Sequence, residues 1–371
     1  MNVIGFIDKY GDSTFEEFGV TILDYLIFSE IAYLDFDGIV SSSDKTKITL
    51  GHAAYLYLNK YNESYFRIQC SAAKSALKIL KAIRTKPRYL NLKMYNYRYE
   101  CSHDLQFSAF MVDLTDKLKV ISFEGTDDLI SGWKEDFAMS YQFPVPAQKL
   151  AIQYVNSNIK FIDRSKYVIC GHSKGGNLAL TSAMYTNLLK QHNIKEIYSF
   201  DGPGLDYKKI YSFRYNMIYK KYTHIVPDSS IFGLLFYDRK YTVIKSSRRG
   251  LLGHDGYTWQ IKGNDFLYTE ISGTSESFYA TFNEWLARYD KKQREYLTEQ
   301  IFAIFDRCNI KSIVELNEHM FSYIKDLIDE ISNIDKDTKD MLKTLFKLMI
   351  SNSKEMLLSK IQDKISIGKN K

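Results

Sequence analysis

Cysteine is scarce: the 371 residues hold only four, Cys70, Cys101, Cys170 and Cys308, widely scattered and with no Cys-x-x-Cys spacing. Such spacing fits neither a zinc site nor a disulfide framework, and reduced thiols in a cytoplasmic protein are expected. An excess of one charge sign is also lacking. Fifty basic residues face 44 acidic ones, a formal net charge of +6, too even a balance to call for nucleic acid, which wants a clustered basic face. No run approaches the roughly 18 apolar residues of a membrane span. The opening MNVIGFIDKYGDSTFEEF has neither a basic n-region nor a continuous apolar h-region. No signal peptide is therefore expected, and the sequon at Asn62 has no glycosylation meaning. Repeats and low-complexity linkers are absent, and nothing points to a metal or an organic cofactor.

What is present suits a soluble globular protein: 45% hydrophobic and 25% charged residues can build a real core. Mixed three- and four-residue apolar steps predict a helix over 13–36, and residues 63–84 and 145–160 read as helices too. QFSAFMVDL (106–114) and LKVISFEGT (118–126) read as strands joined by a turn. SKYVICG is a strand, GGNLALTSAMYTNLLKQ a helix and IKEIYSFDGPG a strand; YTHIVP and KYTVIKS add two more. Strands alternating with helices predict an α/β protein with a mostly parallel sheet covered on both faces. From about residue 276 the strand signals cease. The expected division is a domain over 1–280, with a helical N-terminal segment over about 1–100, and a helical C-terminal extension over 281–371.

YVICGHSKGGNLAL, residues 167–180, sets Ser173 among three glycines after an apolar run. This is the Gly-x-Ser-x-Gly nucleophile elbow of an α/β-hydrolase, strand before and helix after. The serine needs strained backbone angles to project its hydroxyl, and residues two away must be small. Gly171 and Gly175 meet that demand, and Gly176 allows closer packing still. The helix that follows aims its N-terminal amides at the site. The plainer alternative is a tight turn with Ser173 as a helix N-cap. A phosphate loop requires another order of residues. The Ser-x-x-Lys patterns at Ser42–Lys45, Ser71–Lys74 and Ser351–Lys354 have no Lys-Thr-Gly after them and read as chance.

A serine nucleophile needs a base, itself oriented by an acid, and in this fold the chain order is Ser, acid, His. After Ser173 come His192, His224, His254 and His319. His192 follows the elbow helix, His224 lies within a strand and His319 within the helical tail. His254, in the glycine-flanked loop of RRGLLGHDGYTW, is the candidate base. Asp228, just past YTHIVP, is the preferred acid; Asp201 comes one strand earlier and Asp238 lies deeper in the next loop. A surface cap for the following segment is the plain alternative for Asp228. The oxyanion hole needs two backbone amides. Lys174 supplies one, and Thr126, in the SFEGTDD loop, is the candidate for the second.

ISFEGTDDLISGWKEDF, VICGHSKGGNLA, SFDGPG, IVPDSSIFGLL and GHDGYTWQI occur in this order over a chain that, from about residue 13 to 330, resembles the Mbeg1-like branch of α/β-hydrolases, itself similar to the class 3 lipases. The resemblance implies a serine hydrolase fold with Ser173, Asp228 and His254 in the triad positions and Thr126 at the oxyanion loop.

The expected function is hydrolysis of carboxylic esters through an acyl-enzyme. The aromatic-rich SSIFGLLFYDRKY beside Asp228 reads either as an apolar acyl pocket for lipid-like substrates or as ordinary core. The rival expectation is a non-catalytic binding or scaffolding protein on the same fold. In the tail, Leu342, Leu345, Phe346, Met349, Met356 and Ile361 recur at helical spacing between lysines. That stripe either docks on the hydrolase domain or meets a partner helix or an anionic membrane surface.

Overall fold

A computed structural model describes residues 1–61, 65, 71–102, 105–127, 130–162, 164–307 and 336. Eight strands form one sheet in strict chain order: β1 (Ile48–Thr49), β2 (Lys93–Ser102), β3 (Leu105–Thr115), β4 (Leu118–Phe123), β5 (Lys166–His172), β6 (Ile194–Phe200), β7 (Tyr222–Pro227) and β8 (Thr242–Ile244). The first four pair antiparallel, and β4 through β8 run parallel. The crossover helices between the parallel strands pack on one face of the sheet and the N-terminal helices on the other, so the sheet is buried on both faces.

Alternation along the strands divides the core. Val120, Val168 and Cys170 face a cluster built with the N-terminal helices Val3–Tyr10, Ile22–Ile31 and Ser71–Ile83. Ile121, Phe123, Tyr167 and Ile169 face the opposite cluster, with the helices Pro146–Asn158 and Lys174–Tyr185. Side chains two apart share a face of a strand, so neighbouring apolar residues feed two separate layers. Burying each large apolar side chain contributes roughly 1.5–3 kcal/mol. A third apolar cluster joins Ile231, Phe232 and Phe236 to Phe278, Phe282 and Trp285.

The helix expected over 13–36 is two helices, Phe15–Phe18 and Ile22–Ile31, because Gly19 turns the chain at φ +75° between them. The first has its own start signal: Glu17 N–H donates to Thr14 Oγ1, and Thr14 N–H to Glu17 Oε2. β2 was not foreseen; its run KMYNYRYECS alternates only in part, and pairing with β3 holds it in the sheet. The N-terminal segment thus supplies both covering helices and two strands of the sheet. The helix after the elbow ends at Tyr185, and a short second one follows over Leu188–Gln191.

The expected boundary near residue 280 falls inside the helix Gly273–Arg288, whose Phe278, Phe282 and Trp285 pack into the third cluster. The helix Lys291–Arg307 follows, and Lys134 on Ile130–Ala138 meets its Glu299 at 2.7 Å. The apolar stripe from Leu342 to Ile361 lies outside the described residues, as do Cys70, Cys308 and His319. Cys101 is an exposed free thiol, and burial pushes the Cys170 thiol up to about 12.

Candidate active site

Ser173 stands between the end of β5 and the helix Lys174–Tyr185, at φ +57°, ψ −131°. A non-glycine residue there costs on the order of 1–3 kcal/mol and persists only where surroundings enforce it. The enforcing contacts are visible: Ser173 N–H donates to Phe200 O at 2.8 Å, and Gly176 N–H to Ser173 O at 2.9 Å. The flanking glycines are a steric necessity. A Cβ on Gly171 would sit 2.3 Å from the Gly175 carbonyl, and one on Gly175 would sit 2.4 Å from Phe123 O. The Ser173 side chain makes no capping hydrogen bond, so the N-cap alternative does not describe this turn.

His254 closes the short helix Leu251–His254 after β8. Its Nδ1 lies 2.6 Å from Asp201 Oδ2. Asp201 is fully buried at φ +51°, just past the end of β6, in a left-handed turn that aspartate tolerates. Its other oxygen accepts from Ser230 Oγ and from Gly233 N–H. Two donors thus hold one carboxylate oxygen, and the other is left for His254.

Asp228, the preferred acid from the sequence, is not the carboxylate on His254. Its N–H donates to Ile244 O, and its carboxylate takes Lys245 Nζ at 2.5 Å and Ser246 N–H at 3.3 Å. The chain past Pro227 is pinned to β8, which turns Asp228 toward that edge of the sheet. Asp238, the other alternative, receives His224 Nδ1, Tyr215 and Tyr222. His192 is exposed and His224 buried.

The His254 ring lies between two others, Phe232 at 4.2 Å and His172 at 4.4 Å between centroids, and Phe232 in turn meets Trp133 at 5.0 Å. His172 Nε2 is 2.8 Å from the His254 carbonyl, which can only accept, so Nε2 carries the proton. Nδ1 is then the acceptor for Tyr33 OH at 2.8 Å. Burial, reinforced by His254, holds His172 well below the usual histidine range. A neutral His172 ring against His254 does not repel a positive charge on the His254 imidazole. The N-terminal helices grip the same loop through Ser75 Oγ, which donates to Asp255 Oδ2 at 2.6 Å.

Around the elbow lies a buried charge cluster that sequence reasoning did not foresee. Lys174 Nζ donates to Glu135 Oε2 at 2.9 Å, both side chains being enclosed. Thr126 Oγ1 donates to Asp136 Oδ2 at 2.9 Å. Burial pushes Asp136 up to about 7 and Glu124 up to about 8, with Lys174 opposing both shifts. The signal was Glu124 after β4 and the Glu135–Asp136 pair within the helix Ile130–Ala138, too ordinary to read without a partner. Among the described residues no group of three or more His, Cys, Asp or Glu side chains is arranged to hold a metal ion. No described helix is long and apolar enough to cross a membrane.

A parallel sheet edged by antiparallel strands, with a strained serine at the turn into the next helix, defines an α/β-hydrolase fold. The Mbeg1-like family model matches residues 83–303, more than half of the chain, and the chain belongs to that family. No curated protein matches the sequence. Solved structures with a partial likeness include the M37 lipase, at 16% identity over 57% of this chain and 67% of that one, TM-score 0.37. Another is the Rhizomucor miehei lipase propeptide complex, at 12% identity over 60% of this chain and 68% of that one, TM-score 0.34. The fold assignment rests on the sheet and the elbow, not on these overlaps.

Proposed function

We propose that the chain is a serine hydrolase of carboxylic esters with acyl-chain substrates, acting through an acyl-enzyme on Ser173. The observation that carries this reading is the Asp201–His254 contact of 2.6 Å in a chain whose serine sits in a strained elbow. Ser173 Oγ attacks the ester carbonyl while His254 Nε2 takes its proton, and the alcohol leaves with that proton. Water, deprotonated by His254, then attacks the acyl carbon; the acid departs and Ser173 regains its hydrogen. Asp201 keeps the imidazole proton on Nδ1, which leaves Nε2 free to accept. The amides of Lys174 and Thr126 are the proposed donors to the oxyanion. Phe232 against the His254 ring, with Trp133 packed on Phe232, supports an apolar acyl site.

A fluorophosphonate probe tests the reading directly. It should label Ser173 in the wild type and leave Ser173→Ala unlabelled, with both proteins folded. Medium-chain nitrophenyl esters should be cleaved faster than short ones. A folded wild type that takes no label would support the scaffolding alternative, and a flat chain-length profile would remove the acyl site.

A further inference from the structure

The crossover from β6 to β7 carries two short helices, Tyr207–Ile210 and Phe213–Ile218. From Tyr207 to Pro227 the chain reads YKKIYSFRYNMIYKKYTHIVP, with five Lys or Arg and no Asp or Glu. Its inner side is fixed by Ile210, Tyr215 and Ile218, which belong to the core. Its outer side carries large apolar side chains. Tyr207 and Tyr211 are each 56% exposed, Phe213 66% and Met217 45%. Phe213 and Met217 are four residues apart on one helix and so share a face.

These side chains form one surface. The rings of Tyr207 and Tyr211 are 4.8 Å apart. The Arg239 guanidinium lies 5.6 Å from the Tyr211 ring and 4.3 Å from that of Tyr219, and it donates to Asn216 on the second helix. Lys240 lies over Tyr219 at 4.6 Å, and Lys208 and Lys220 are exposed. Both acids flanking the run are hydrogen-bonded. Asp206 accepts from the Lys208 amide as a helix cap, and the Asp238 side chain is 5% exposed beneath His224 and two tyrosines. With Lys208, Lys220, Arg239 and Lys240 exposed and Asp206 only half-buried, the net charge of this face is positive.

Large apolar side chains held in water beside cations are the composition of an interfacial surface: rings and methionine enter the acyl boundary while ammonium groups meet anionic headgroups. A nucleic acid would instead call for cations lining a groove, and here the exposed centre is apolar. We infer that this face docks on an anionic lipid bilayer. It borders the segment beside the candidate site: Tyr207 packs against Tyr237 at 5.5 Å, and five residues before Tyr237 lies Phe232, against the His254 ring.

The test is co-sedimentation of the full chain with phosphatidylglycerol vesicles and with pure phosphatidylcholine vesicles. The wild type should pellet with the first and not the second, and should be released as salt rises from about 0.05 to about 0.5 M. Lys208→Glu/Lys220→Glu and Tyr211→Ser/Phe213→Ser should each cut binding by about tenfold or more. All four positions are exposed, so melts should be unchanged, and two chemically different variants guard against a folding artefact. A wild type that ignores anionic vesicles overturns the inference, as do variants that bind like the wild type; retained vesicle binding would then lie elsewhere on the chain. Binding is read without turnover, so the outcome is independent of the reading of Ser173.

Discussion

Replacing Asp201 by Asn should be the most informative single change in this protein. Asn keeps the shape and retains an oxygen for Ser230 and Gly233, which hold Oδ1 now. The atom facing His254 Nδ1 becomes an amide nitrogen, a donor where an acceptor stood 2.6 Å away. His254 can keep a hydrogen bond only by moving its proton to Nε2, and a protonated Nε2 cannot accept the serine proton. Loss of this kind reaches about 10⁴-fold in turnover, or roughly 5.4 kcal/mol of barrier, with little change in substrate binding. Asp228→Asn is the matched control. It removes an ion pair with Lys245, whose side chain is 42% exposed, a contact worth about 0–1 kcal/mol of stability. The assay is the rate of fluorophosphonate labelling together with nitrophenyl ester turnover, both variants first checked by thermal melt. A larger loss at Asp228 than at Asp201 would refute the assignment of the acid.

Three further outcomes concern stability. Asp136 sits near 7 in the folded protein against an ordinary 3.8, so the folded state holds this proton more tightly than the unfolded chain. Its contribution to stability is therefore full below about pH 4 and falls as pH rises to about 7; Asp136→Asn should flatten that slope in urea melts, and parallel wild-type and variant curves would count against it. Arg88 and Asp24 form a fully buried pair at 2.7 Å, with Tyr89 also on the carboxylate. Arg88→Met should cost about 3–5 kcal/mol by stranding the charge, and adding Asp24→Leu should restore most of it; a single-variant loss below about 1 kcal/mol would refute the role. Tyr33→Phe leaves His172 Nδ1 without the hydroxyl that donates to it and should cost about 1–3 kcal/mol. An unchanged melt would mean another donor takes its place.

The elbow was legible in the sequence because its demands are local: a strand, glycines on both sides of the serine, then a helix, all within about a dozen residues. The parallel half of the sheet was legible for the same reason, since Val168 to Cys170 and Ile121 to Phe123 announce buried strands by composition alone. His254 stood out as a candidate base by its glycine-flanked loop. The carboxylate that meets it could not be picked out this way. Asp201 and Asp228 both follow apolar strands, and which of them meets His254 depends on where the loops after β6 and β8 converge. The left-handed turn at Asp201 and the pinning of Asp228 to β8 decide it. The same limit hid His172, Tyr33 and the Lys174–Glu135 pair, whose partners lie 39 to 139 residues away in the chain. Sequence alone determined which short segments could be strand, turn or helix, because those preferences are set by neighbouring atoms. Tertiary structure decided which charges meet, because a buried carboxylate takes whatever donor the packing of distant segments brings to it.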